Sequence, residues 1–191
     1  MKLSLWRGIT FSSIFSYDSC DMRIFISGIA GFLGSHLADA FLSEGHSVIG
    51  IDSMLGGELD NVPEKAEFYQ IDCNDLGMLR DHMAGVDIAY HCAATAYEGF
   101  SVFSPHLITQ NIVTASTSII SAAISSKVRR FVMCSSMARY GSNKVPFTED
   151  MTPKPQDPYG IGKYAAELLL QNLAHRHCLV SMVRDTSLDK L

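Results

Sequence analysis

Seven residues, Gly28-Ile29-Ala30-Gly31-Phe32-Leu33-Gly34, follow the strand-like run Arg23-Ile24-Phe25-Ile26-Ser27 and open a helical pattern that carries Phe32, Leu33, Leu37, Phe41 and Leu42. Each glycine has a different physical job in a strand-to-helix turn. Gly28 permits the tight turn, Gly31 lets the backbone approach a pyrophosphate, and Gly34 allows the helix to pack close to the strand. The phosphates would then face the helix N-terminus, which Phe32 and Leu33 begin. A lone glycine triplet more often marks only a tight turn. Here a second strand, Val48-Ile49-Gly50-Ile51-Asp52, ends in an acid twenty-four residues beyond Gly28, where a carboxylate binds adenosine ribose hydroxyls. Alone, Asp52 also reads as a strand-end turn former. Together these features favour cofactor binding, and an acid with no arginine beside it favours NAD over NADP.

The rest of the chain alternates short apolar runs with helical periods, as expected for α/β folds in which helices cover both faces of a doubly wound parallel sheet. Strands are predicted at 23–27, 47–51, 66–71, 87–92, 129–134 and 179–183, and helices at 32–44, 75–83, 106–126 and 158–176. In the long middle helix Ile112, Val113, Ser116, Ile119, Ile120 and Ala123 recur at three and four, giving one apolar face for the sheet. A chain of 191 residues with 47% hydrophobic and 18% charged residues suits one packed domain, with no membrane span suggested. The net charge of −5 argues against nucleic acid, which needs a basic stripe. Five scattered cysteines, Cys20, Cys73, Cys92, Cys134 and Cys178, show no metal-ligand spacing and fit reduced thiols in the cytoplasm.

Tyr159 and Lys163 stand four residues apart in a helical stretch, so phenol and ammonium share a face. The cation can stabilise the phenolate and pull its pKa down from about 10 toward that of a general base. With the glycine loop, this pair resembles the extended short-chain dehydrogenase/reductase family of NAD-dependent nucleotide-sugar epimerases and dehydratases. The resemblance implies further roles, position by position. Gln70-Ile71-Asp72-Cys73 is similar to a segment whose acid, Asp72, contacts adenine while Cys73 adds a backbone contact. His91-Cys92-Ala93-Ala94 resembles the family's strand-four ending, where Ala93 and Ala94 let the chain pass close to the cofactor. Asn111 matches an asparagine in the following helix; by itself it reads as a buried, hydrogen-bonded core residue. Cys134-Ser135-Ser136-Met137-Ala138-Arg139-Tyr140-Gly141 resembles the segment after strand five whose second serine, here Ser136, is catalytic.

The implied chemistry uses Ser136 to bind the reacting sugar hydroxyl, Tyr159 to take its proton, and Lys163 to hold the nicotinamide ribose and lower the tyrosine pKa. A nucleotide-sugar 4-epimerase acting on a UDP-sugar is the leading expectation. Dehydration is disfavoured because Met137-Ala138 replace an acidic pair found in the dehydratase branch, which leaves epimerase or simple nucleotide-sugar reductase chemistry. Arg139 stands where the family commonly has an aliphatic residue, facing either substrate phosphate or solvent. The middle helix and the Tyr159 helix resemble a pair that forms an intersubunit four-helix bundle, which implies a homodimer.

The resemblance spans residues 22–184, read as the NAD-binding domain. Residues 1–21 carry Lys2 and Arg7, lack the apolar core of a signal peptide, and are read as a non-structural extension; a transit peptide and a spurious upstream start both fit. Residues 185–191 stand where the family's substrate lobe begins, so a catalytically silent NAD-binding module is the competing expectation. His175 and His177 beside Cys178 suggest interaction with a helix dipole rather than a metal site. The other histidines, His36, His46, His82, His91 and His106, form no nucleophile–base pattern.

Overall fold

The computed structural model describes residues 21–177 and 179–184. Most of the expected N-terminal extension, the tail 185–191, Cys20 and Cys178 lie outside the described residues. Among the described residues, six parallel strands run β1 (Arg23–Ser27), β2 (Ser47–Asp52), β3 (Glu67–Gln70), β4 (Ile88–His91), β5 (Arg130–Cys134) and β6 (Val180–Arg184). Their spatial order is β3-β2-β1-β4-β5-β6. The order reverses between β1 and β4, and ligands of open parallel sheets bind at the carboxyl ends of the strands beside such a switch.

Alternating side chains divide the core between the two faces. Phe25, Ile49, Phe131 and Met133 join one buried cluster, and Ile24, Ile26, Val48 and Ile88 join the other. Burying each large aliphatic or aromatic side chain stabilises by about 1.5–3 kcal/mol. Helix α1 (Phe32–Ser43) covers the second face through Ala38 and Phe41. Helices α2 (Leu76–His82), α3 (Pro105–Ser125) and α4 (Pro158–His177) contribute Leu79, Ile119, Ile120 and Leu170 to the first. The predicted elements are all present, with ends displaced by a residue or two, as fraying and local caps allow.

Helix α3 differs from expectation in kind as well as extent. It contains a π turn at Gln110–Thr114, which shifts the phase of the side chains across it. Ile112, Ser116, Ile119, Ile120 and Ala123 are still buried, whereas Val113 is half-buried. The helix is long and apolar enough to cross a membrane, but these residues pack into the protein core. Just before α4, the Asp157 carboxylate accepts the Gly160 N–H at 2.8 Å, and Pro158 opens the helix. An acceptor just before the helix and a proline in its first position both suit a helix N-terminus.

Candidate active site at the carboxyl ends of the strands

The glycine loop leaves β1 at the topological switch. Gly28 has φ +77°, and a Cβ there would stand 2.7 Å from the Ala93 backbone N. Gly34 is tighter, since its Cβ would meet the Gly28 carbonyl oxygen at 2.1 Å. These two glycines are required by the fold itself. Gly31 is different: its Cβ would meet only the Gly28 oxygen, at 3.3 Å. It precedes α1 in extended conformation and contributes no side-chain cap. The loop therefore fits a pyrophosphate, with an open backbone surface before a helix N-terminus.

Asp52 ends β2 beside this loop. Its Oδ2 accepts the Ala30 N–H at 3.2 Å and its Oδ1 accepts the Met54 N–H at 2.9 Å. Each oxygen has a second lone pair with which to accept a ribose hydroxyl. Phe32 is exposed and Leu33 half-buried at the start of α1. Asp72 is exposed and folds back on Asn74, accepting its backbone and side-chain N–H groups, each at 2.8 Å. The N-cap of α2 is Asp75, whose carboxylate accepts the Met78 N–H. Cys73 is buried, and desolvation, then the charges of Asp72 and Asp52, push its thiol pKa up to about 12. Ala93 is half-buried and Ala94 exposed. Asn111 is only half-buried; it lies in the π turn and donates to Thr95 Oγ1 at 3.0 Å.

Ser136, Tyr159 and Lys163 come from two elements that pack together at this end of the sheet. A short 3₁₀ turn, Met137–Tyr140, follows β5, and Ser136 caps it by accepting the Ala138 N–H at 3.2 Å. The Tyr159 ring packs with Ile108, Ile112 and Ala138. Gly160 allows this approach, since a Cβ would meet the Ala138 oxygen at 2.6 Å. One helical turn on, Lys163 Nζ donates to the Cys134 carbonyl at 2.8 Å. All three residues are buried. Cys92 and Cys134 are free thiols with sulfurs 3.7 Å apart.

The predicted solvent- or phosphate-facing Arg139 needs correction. Its Nη1 pairs with Glu167 Oε2, and its guanidinium lies 4.7 Å from the Tyr140 ring centroid. The other Glu167 oxygen accepts from Ser135 Oγ. Sequence reading overlooked Glu167, although its position four residues after Lys163 places it on the same helix face. His91 also has a role its dispersed position did not reveal. Its Nδ1 shares a 2.7 Å hydrogen bond with Ser27 Oγ, and its Nε2 a 2.9 Å bond with Ser116 Oγ. Burial, assisted by the Lys163 charge, lowers its pKa to about 3 and holds it neutral. Among the described residues no three His, Cys, Asp or Glu side chains are grouped to hold a metal.

Residues 24–184 match the profile of the NAD dependent epimerase/dehydratase family. The UDP-glucose 4-epimerase of Lactobacillus helveticus is 34% identical over 154 residues, spanning 78% of this chain and 46% of that protein. The crystal structure of UDP-glucose 4-epimerase from Thermotoga maritima with UDP-glucose has 32% identity and a TM-score of 0.80, over 85% of this chain and 54% of that one. The Brucella ovis UDP-glucose 4-epimerase in complex with NAD has 28% identity and a TM-score of 0.81, over 85% and 50%. The chain thus spans about half the length of these relatives. With its reversed parallel sheet, glycine loop and a family match from the first strand to the last, this chain belongs to the NAD-dependent epimerase/dehydratase family.

Proposed function

We propose that this chain binds NAD and supplies the cofactor-holding and proton-transferring half of a nucleotide-sugar 4-epimerase acting on a UDP-sugar. The observation that carries this reading is Lys163, anchored to the Cys134 carbonyl one helical turn from Tyr159 and beside the Ser136 turn. When bound, NAD would supply reversible hydride acceptance from the sugar carbon. Gly28, Gly31 and Gly34 shape the pyrophosphate loop, with Phe32 and Leu33 opening the helix, and Asp52 takes the ribose hydroxyls. Asp72, Cys73, Ala93, Ala94 and Asn111 complete the proposed cofactor contacts. Ser136 accepts from the Ala138 N–H, which leaves its own proton to donate to the sugar oxygen. Tyr159 takes the proton from the reacting hydroxyl, and Lys163 stabilises the phenolate while holding the nicotinamide ribose. Met137 and Ala138 offer no acid or base for dehydration, which supports epimerisation.

The UDP-glucose bound to the Thermotoga maritima relative supports a UDP-sugar as substrate. A second reading is an NAD-binding module without turnover of its own, supported by the family match, which covers the glycine loop and the sheet. We also propose a homodimer through α3 and α4, supported by the exposed apolar residues Leu107, Ile161 and Leu168, and a cytoplasmic location, supported by the free thiols Cys73, Cys92 and Cys134. The test is interconversion of UDP-glucose and UDP-galactose by the purified chain with added NAD. Turnover supports the epimerase; NAD binding without turnover supports the module.

A further inference from the structure

We propose that Arg139 and Glu167 form a positioning pair that holds the Ser136 turn on α4 and keeps the Lys163 charge available to Tyr159. Glu167 is 1% exposed and lies four residues after Lys163 and eight after Tyr159, so all three follow one face of α4. Its two oxygens hold Ser135 and Arg139, which stand one residue before and three residues after Ser136. One buried carboxylate therefore grips both sides of the turn that carries the proposed catalytic serine. Arg139 is fixed in turn by the Tyr140 ring, and its carbonyl accepts the Lys154 N–H at 2.9 Å.

The pair also sets the charge around the proposed catalytic residues. A buried carboxylate without a counter-charge is costly, and Lys163 lies one helical turn away. Without Arg139, Glu167 would draw the ammonium from Tyr159 and the Cys134 carbonyl. With Arg139 in place, Glu167 has its counter-charge, and Lys163 keeps its hydrogen bond to the Cys134 carbonyl one helical turn from Tyr159. The other titratable groups on elements around Tyr159 are Asp157 before α4, Tyr164 and the terminal His175, Arg176 and His177 on α4, Tyr140 in the 3₁₀ turn, and His106 on α3. His91, Cys92 and Cys134 lie within the field of Lys163 at the ends of β4 and β5.

This inference rests on the proposed roles of Ser136, Tyr159 and Lys163, and its readout requires no turnover. The 191-residue chain is labelled with ¹³C at tyrosine Cζ and titrated by NMR, with the Tyr159 resonance identified from its loss in Tyr159→Phe. Wild-type Tyr159 is expected to titrate below the ordinary value of about 10. An ordinary value would overturn both the Tyr159/Lys163 reading and the inference built on it. Given a depressed value, Arg139→Met should raise it by about one unit, and Glu167→Gln should lower it. The double variant should return it to the wild-type value. A merely structural strut gives no such rescue, because removing its second half repairs nothing. An unchanged Tyr159 pKa in Arg139→Met, with wild-type circular dichroism, would overturn the proposal while leaving the Tyr159/Lys163 reading intact. If Arg139→Met does not fold, Glu167→Gln and the double variant carry the test. An unshifted value in Glu167→Gln, or a double variant displaced from wild type, would also overturn it.

Discussion

Acidification from pH 7 to pH 5 should weaken the fold by about 2 kcal/mol through His91. The imidazole is buried between Ser27 and Ser116, and its pKa is lowered from 6.5 to about 3 by burial and then by the Lys163 charge. The unfolded chain therefore takes up a proton below pH 6.5 that the folded chain refuses until about pH 3. His91's contribution is fully present above the unfolded pKa and declines as pH falls through that window. The decline approaches 1.36 kcal/mol per pH unit, so the 1.5 units between 6.5 and 5 amount to about 2 kcal/mol. Urea unfolding of wild type and His91→Gln at both pH values isolates this contribution, since the other titrating groups are common to both proteins. Glutamine retains a donor and an acceptor for the two serines but cannot titrate. The stability gap between wild type and variant should shrink by about 2 kcal/mol at pH 5. A gap that is the same at both pH values would refute the reasoning.

Two glycine substitutions should separate fold from ligand. Gly34→Ala should cost about 3 kcal/mol in urea unfolding, because its Cβ meets backbone atoms of Gly28 and Ile29 that cannot swing aside. Gly31→Ala should cost only about 1 kcal/mol but weaken NAD binding roughly tenfold or more in a fluorescence titration, since the added methyl enters space used by the proposed ligand. Ile161→Glu combined with Leu107→Glu should convert a micromolar dimer to monomer in sedimentation velocity; a monomeric wild type would remove the dimer.

The strands were legible because their apolar runs are short and bounded by turn residues, and the glycine loop because its conformation requires a particular residue type. The fold-level reason for Gly28 and Gly34 is now visible in contacts with Ala93 and within the loop itself. The π turn in α3 was not legible, because Gln110-Asn111-Ile112-Val113-Thr114 has the composition of an ordinary helical stretch. Long-range polar partners were equally hidden. His91 meets Ser27 across 64 residues and Ser116 across 25, and local pattern cannot pair them. Glu167 follows Lys163 at a spacing that reads as a solvated surface ion pair. Only the packing of α4 against the 3₁₀ turn reveals that it is buried and joined to Arg139. The departure from the family's usual aliphatic residue at Arg139 thus has its explanation in tertiary structure.

The most direct test of the central claim is calorimetric titration of the purified, folded chain with NAD, with NADP and Asp52→Ala as the two comparisons. NAD should bind at one site per chain, NADP more weakly, and Asp52→Ala should lose roughly tenfold in affinity or more, about 1.4 kcal/mol. Absence of NAD binding in protein with native circular dichroism, or equal or tighter binding of NADP, would contradict the account.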